Sequence, residues 1–202
     1  MRLIALTVAA AVLAAAPAEA AWKSFKYPEL GFGVDFPAQP KTGMGEYRGR
    51  LAGRVPATEI TAVDGEITYK ATVVDFTKRP LDGPTLLGEA EFLLTQDGKV
   101  ITDTSARSEA GPKAQYGRRI VVAMKDGSKR LSEVYLAQGK LYQLDTTISP
   151  KGDQEDPEAA RFQDSLIFDL QHDWTIPPPL PANPANGPRL LRPVRPGEAQ
   201  AK

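Results

Sequence analysis

The chain lacks cysteine entirely and has a single histidine, His172, among its 202 residues. Without thiols it can form no disulfide, no zinc–thiolate site and no cysteine nucleophile. The one imidazole, in Gln171-His172-Asp173-Trp174, has no second histidine with which to share a metal ion, and it lies next to no obvious nucleophile. A surface position is the ordinary interpretation of such a histidine. Thiol chemistry is excluded, and the fold must rest on its hydrophobic core.

An excess of charge of either sign is also lacking, since 25 lysines and arginines balance 25 aspartates and glutamates. A dedicated DNA- or RNA-binding protein relies on a positive surface field to attract phosphates. We therefore expect no nucleic-acid partner.

Long apolar runs are missing except at the N-terminus, where residues 3–16 follow Arg2 without a charge. A membrane-spanning helix needs roughly 20 apolar residues, and this run is shorter and ends at Pro17 and Glu19. Small residues in Ala18-Glu19-Ala20 suit a signal peptidase, so we expect residues 1–20 to be a cleaved signal peptide and the mature chain to begin at Ala21. Because no cysteine is present for lipidation, we expect a protein exported through the general secretory pathway with no stable membrane insertion after cleavage. The preferred location is the periplasm, and full secretion is the alternative.

Alternation of apolar and polar residues predicts a series of antiparallel strands. Ile67, Tyr69, Ala71 and Val73, for example, alternate with polar neighbours, which is typical of a strand with one buried face. Turn dipeptides such as Asp64-Gly65 separate consecutive strands. The predicted strands cover residues 22–27, 32–36, 55–63, 66–76, 100–105, 116–125, 129–137 and 141–148.

Two helices are predicted among these strands. Helical spacing of leucine and alanine indicates one over residues 84–96, entered through Asp82-Gly83. The other begins at Asp156-Pro157-Glu158, where an aspartate can cap free amides and proline suits the first turn. Residues 165–170 either end this helix or form an edge strand. The expected fold class is α+β, a central antiparallel sheet of about six to seven strands flanked by two or more helices.

The domain organisation follows from a change of composition near Trp174. Residues 21–174 are expected to form a single α+β domain. Residues 175–202 are rich in proline and contain Arg189, Arg192 and Arg195, so we expect a disordered tail. Such a tail could touch anionic lipid, cell-wall polymer or an acidic partner, although a solvated terminus without function is the simpler interpretation.

Two short motifs give the chain a resemblance to the PsbP/Mog-like superfamily. One is the strand and proline turn Gly31-Phe32-Gly33-Val34-Asp35-Phe36-Pro37-Ala38-Gln39-Pro40, and the other is the helical Arg161-Phe162-Gln163-Asp164-Ser165-Leu166. The resemblance covers most of the mature domain and implies a central antiparallel sheet flanked by helices. Members of that superfamily include photosystem II subunits, a GTPase-binding protein and exported bacterial proteins, so the resemblance does not imply one function.

Candidate ligand-binding residues are few. The acidic run Asp153, Glu155, Asp156 and Glu158 offers carboxylates to a cation, but it lacks the spacing and glycine of a calcium loop, and helix capping explains it better. Gly31-Phe32-Gly33 is too short for a nucleotide-phosphate fingerprint.

Basic residues of the predicted meander and several serines have equally ordinary interpretations. An anion-binding patch would combine Arg118 or Arg119 with Lys125, Lys129 and Arg130, but charges that protect strand edges are the simpler interpretation. The serines, including Ser105, Ser108 and Ser132, lie in no nucleophile elbow.

The sequence therefore predicts no catalytic residue, no metal site, no cofactor and no enzyme activity. The preferred hypothesis is an exported, non-enzymatic domain that binds a protein or a cell-envelope component through a sheet face or edge. A small-molecule or divalent-metal binding protein that uses carboxylates is the alternative, and a hydrolase ranks third.

Overall fold

A computed structural model describes residues 22–79, 81–109 and 114–168. Ten strands and two helices form in this part of the chain, and the strands divide into a seven-stranded and a three-stranded antiparallel sheet. The α+β class and the strand number of the central sheet are thus as the sequence predicts. The predicted signal peptide (1–20), His172 and the predicted tail (175–202) lie outside the described residues.

The elements follow one another along the chain in this order: β1 (Lys23–Tyr27), β2 (Phe32–Phe36), β3 (Lys41–Gly49), β4 (Gly53–Asp64), β5 (Ile67–Asp75), α1 (Gly83–Thr95), β6 (Gly98–Ser108), β7 (Gln115–Met124), β8 (Lys129–Ala137), β9 (Lys140–Ile148), α2 (Glu158–Asp164) and β10 (Ile167–Phe168). The large sheet has the order β3-β4-β5-β9-β8-β7-β6, and the small sheet has the order β1-β2-β10.

The two faces of the large sheet are covered by different elements, because successive residues of a strand point to opposite sides. Val73 joins one hydrophobic core and Val74 the other. The first core lies against the small sheet and α2, where Phe36 and Tyr69 both pack on Phe162. The second core lies under α1. The sheet is therefore the middle layer of the fold.

Helix α1 forms where its leucine spacing predicts it. Asp82 is its N-cap, and its carboxylate accepts a hydrogen bond from the Thr85 amide at 2.9 Å. Leu86, Ala90 and Leu94 lie on one face and are buried in the second core. This apolar stripe holds the helix against the sheet.

The structure differs from the sequence-based expectation in three places. Strand β3 was not predicted, because Lys-Thr-Gly-Met-Gly-Glu-Tyr-Arg-Gly shows no apolar alternation and only Tyr47 is buried. Strands β1 and β2 form a separate sheet and do not extend the central one. The open question over residues 165–170 is decided in part: Ser165 caps α2, and Ile167 and Phe168 pair with β2 as an edge strand.

Within the part of the chain that the structure describes, no helix is long and apolar enough to cross a membrane.

Candidate binding surfaces

The two edges of the large sheet differ in their regularity. At one edge β6 carries a register shift between Val100 and Thr102, which breaks the line of its backbone groups. At the other edge β3 pairs with β4 through nine consecutive residues without a shift, and no described strand pairs with its other side. Residues 41–44 are exposed, and Met44 is 76% exposed. The β3 edge is therefore an uninterrupted row of backbone donors and acceptors that pairs with no further described strand.

The β3–β4 connection, residues 48–54, is called the hairpin tip below. It reads Arg-Gly-Arg-Leu-Ala-Gly-Arg. The Arg48 and Arg54 side chains are 75% and 74% exposed, and each bonds to Glu46, at 2.8 and 2.7 Å. At the centre of the tip, Leu51 is 66% exposed. An exposed leucine thus stands between arginines.

The hairpin tip is held in place by a buried carboxylate of α1. Glu89 is 7% exposed, and it accepts hydrogen bonds from the Leu51 and Ala52 amides at 2.5 and 3.2 Å and from the Tyr47 hydroxyl at 3.4 Å. From the other side, Arg79 donates to the Ala52 carbonyl at 2.5 Å. The backbone of the tip is consequently fixed, with the Ala52 side chain buried in the second core and Leu51 exposed.

A groove of about 560 Å³ lies between the hairpin tip and α1. Leu51 lines one side, and Pro84, Gly88 and Phe92 of the helix line the other. Phe92 is 50% exposed, and nothing lies within 4 Å of the position where Gly88 would carry a Cβ. The groove therefore presents apolar surface to solvent beside the arginines of the tip.

A larger cleft, of about 790 Å³, lies beside the β4–β5 turn and the start of α2. Trp22 and Tyr69 contribute aromatic surface, and Arg161 stacks over the Trp22 ring at 4.9 Å. Two cations and five carboxylates line it: Lys151, Arg161, Asp64, Glu66, Asp153, Asp156 and Glu158. Burial, together with the charges of Asp156, Asp64 and Glu158, raises the pKa of Tyr69. We call this region the acidic cleft.

The acidic run that the sequence singles out is divided between local bonds and this cleft. Asp153 accepts from the Glu155 amide at 3.0 Å, and Asp156 accepts from the Glu158 amide at 2.9 Å. Glu155 bonds to Lys129 at 2.8 Å. Asp156 thus bonds to the first amide of α2, but Pro157 occupies the N-cap position, which makes no side-chain bond. Among the described residues no three His, Cys, Asp or Glu side chains stand close enough to hold a metal ion.

A charged network joins the middle of β7 and β8 to α2. Glu133 is 1% exposed, and it pairs with Arg119 and accepts the Tyr135 hydroxyl at 2.8 Å. Arg119 also reaches Asp164 at the end of α2, at 2.5 Å. Burial lowers the pKa of Arg119, but Glu133 and Asp164 raise it more, so the pKa lies above its usual value. The guanidinium thus links α2 to the large sheet.

The structure separates the basic residues of the candidate anion patch. Arg118 lies on the opposite face from Arg119 and bonds to Asp103 at 2.5 Å. Lys129 bonds to Glu155, and Arg130 donates to the Leu94 carbonyl. These cations are each bonded to a different partner and do not converge on one site.

Among Ser105, Ser108 and Ser132, Ser132 has the clearest role. It is 1% exposed and donates to Asp145 at 2.6 Å, and Gln143 donates to the other Asp145 oxygen at 2.6 Å. Ser105 and Ser108 lie on β6. Gly31-Phe32-Gly33 leads into β2, and Gly31 adopts a positive φ of 79° in the turn before that strand.

Sequence reasoning named neither the β3 edge nor the hairpin tip as a site. The only local signal of the tip is the run of three arginines around Leu51, and nothing in that run shows that it caps an edge strand.

Comparison with known proteins provides structural similarity without a sequence match. No family model matches the chain, and no curated protein matches it. The chain is similar to the solution structure of cyanobacterial PsbP from Synechocystis sp. PCC 6803, with 11% sequence identity and a TM-score of 0.48, over 75% of this chain and 95% of that one. Membership of the PsbP/Mog-like superfamily stays a prediction.

Proposed function

We propose that the protein is an exported, non-enzymatic binding domain that takes up an extended segment of a partner protein as an additional strand on β3. The observation that carries the proposal is the unbroken, exposed β3 edge. Main-chain hydrogen bonds along such an edge provide affinity, and neighbouring side chains provide specificity.

The composition of β3 suits strand addition. Gly43 and Gly45 carry no side chain to obstruct an approaching backbone, and Gly43 has open space around its Cβ position. Met44 offers a flexible apolar side chain that adapts to different partners. At the opposite edge the shift in β6 interrupts pairing, so β3 is the better of the two edges for a new strand.

Proline substitution tests the proposal, because proline removes one backbone donor. In an antiparallel strand, adjacent residues direct their amides to opposite sides. One of the two variants Gly43→Pro and Met44→Pro therefore removes a bond to β4 and lowers the thermal midpoint, while the other removes an outward amide and disturbs the sheet less. The better-folded variant is the informative one, and the other is its matched control.

The measurement is affinity capture from envelope extracts with the full mature chain, followed by hydrogen exchange of the captured complex. We expect a captured protein to slow amide exchange in β3 and to be lost from the outward-facing proline variant. Capture that survives this variant, or protection confined to another element, would contradict strand addition.

A second candidate function rests on the acidic cleft. Its five carboxylates against two cations favour a positively charged small molecule. Calorimetric titration with spermidine should give heat that decreases in Asp64→Asn, with titrations of calcium, manganese and zinc in parallel. Absence of heat with all four would remove this candidate.

A further inference from the structure

The hairpin tip and its groove combine features that strand addition does not use. Leu51 and Phe92 are both largely exposed apolar side chains, and they border the same groove. Isolated exposed apolar residues are normal on a protein surface, whereas two that share a groove between arginines form an amphipathic patch.

The charge of the tip contrasts with the neutral chain as a whole. Arg48, Arg50 and Arg54 flank Leu51 in sequence, and Arg79 binds the backbone of the tip. Glu46 offsets part of this charge by bonding to Arg48 and Arg54. Glu89, the carboxylate of the groove, is buried and turned toward backbone amides. Arginine therefore dominates the charge that the tip presents to solvent.

The tip is also ordered before any ligand arrives. Because Glu89 and Arg79 hold its backbone from two sides, Leu51 need not lose much conformational freedom on binding. A fixed apolar side chain among long basic side chains matches the boundary between lipid headgroups and acyl chains, where arginine stems lie along apolar surface and guanidinium groups reach phosphates.

We propose that the hairpin tip and groove dock on an anionic lipid surface, with Leu51 and Phe92 entering the headgroup boundary and the arginines contacting lipid phosphates. This goes beyond strand addition and does not depend on it. The charge of the tip complements an anionic surface, and its apolar side chains add a contact that a purely ionic site would lack. An acidic protein surface would complement the arginines but not the apolar side chains. Binding to such a surface is the competing outcome.

Vesicle sedimentation with the full mature chain tests this docking. Binding is expected to vesicles that contain phosphatidylglycerol, to be absent with pure phosphatidylcholine, and to weaken as salt is added. Arg50→Gln should weaken binding about five-fold, since one basic residue near an anionic surface contributes about that factor. Leu51→Asp should weaken binding further, because it places a carboxylate at the lipid boundary.

The matched control is Val63→Asp, which changes a comparably exposed apolar residue, 59% exposed, at the other end of β4. This variant should bind vesicles as the unchanged chain does. All variants should keep the thermal midpoint of the unchanged chain. Equal loss in Val63→Asp would overturn the proposal. So would vesicle binding that survives Leu51→Asp but is lost when residues 175–202 are deleted. Binding to polyglutamate without binding to vesicles would assign the tip to an acidic protein and would likewise overturn it.

Discussion

Glu133 is the most buried charged side chain among the described residues, and polar partners compensate for its burial. It lies at 1% exposure between Arg119 and the Tyr135 hydroxyl. A carboxylate in such a position is tolerated only while its partners remain, because an unpaired buried charge is costly. The stability of the protein therefore depends on Arg119, which pairs with Glu133.

Replacing Arg119 with methionine should lower the free energy of unfolding by about 3 kcal/mol, because Glu133 stays buried without its counter-charge. Urea unfolding measures the change. Arg118→Met is the control, since the neighbouring arginine pairs on the opposite face with two partly exposed carboxylates, Asp103 and Glu91, and its replacement should cost about 1 kcal/mol or less. Adding Glu133→Leu to Arg119→Met should recover stability. A double variant with a lower free energy of unfolding than Arg119→Met would contradict the explanation.

A buried tyrosine makes stability depend on pH in the alkaline range. Burial, and secondarily the charge of Asp75, raises the pKa of Tyr142 from 10.0 to about 12. Its hydroxyl donates to the Leu30 carbonyl at 2.8 Å. Above pH 10 the unfolded chain releases this proton while the folded chain retains it, so the stabilisation is complete below pH 10 and is lost as the pH rises toward about 12.

We expect the free energy of unfolding to fall across this interval, with Tyr142 contributing about 2 to 3 kcal/mol of the loss. The variant Tyr142→Phe should be less stable at neutral pH, because it lacks the bond to Leu30, yet should lose less on going to alkaline pH. Urea unfolding as a function of pH measures both effects. Identical alkaline slopes for the two proteins would refute the assignment.

Among the elements, the β7–β8 pair depends on a glycine for its close approach. A Cβ on Gly117 would lie 2.1 Å from the Val134 carbonyl oxygen and 2.7 Å from the Tyr135 ring. Backbone atoms cannot yield as a flexible side chain can, so the strands would have to separate.

The variant Gly117→Ala should therefore destabilise the protein by about 2 kcal/mol. Gly43→Ala is the matched control within a strand: nothing lies within 4 Å of its Cβ position, so it should be neutral or slightly stabilising. Thermal unfolding of the two variants measures the difference. Equal thermal midpoints would contradict the prediction, because they would mean that separating β7 and β8 costs no stability.

The strands and helices differ in how far the sequence predicts them. The sequence predicts β5 because its alternating apolar residues are all buried on one face: Ile67, Tyr69, Ala71 and Val73. The leucine spacing and Asp82 likewise predict helix α1. By contrast, β3 has little to bury, so its extended form depends on pairing with β4, a tertiary contact that local propensity does not record.

On the scale of the whole molecule, maturation is the feature that the sequence predicts and that lies outside the described residues. We expect the exported protein to begin at Ala21, because Ala18-Glu19-Ala20 offers a signal peptidase small side chains after a short apolar run. Mass spectrometry of the protein from its native compartment measures this directly. A mature chain that retains Met1 would contradict cleavage, and with it the predicted periplasmic location.

The candidate sites show how little of a binding surface the sequence contains. The acidic run is visible as four carboxylates in a row of six residues, but its neighbours in the acidic cleft, Asp64 and Glu66, come from a distant turn. The hairpin tip is visible as three arginines, while Glu89 and Phe92, which hold and extend it, belong to α1. Each surface joins segments that are far apart along the chain.

The sequence by itself determined what can be encoded locally: the exclusion of thiol chemistry, the faces of most strands, the cap and apolar stripe of α1, and the turn at Asp64-Gly65, where the glycine adopts a positive φ. Tertiary structure alone decided the division into two sheets, the edge position of β3, and the burial of Glu133 beside Arg119. Periodicity records which side of an element is apolar, but not which distant element covers it. That choice depends on the packing of the whole chain.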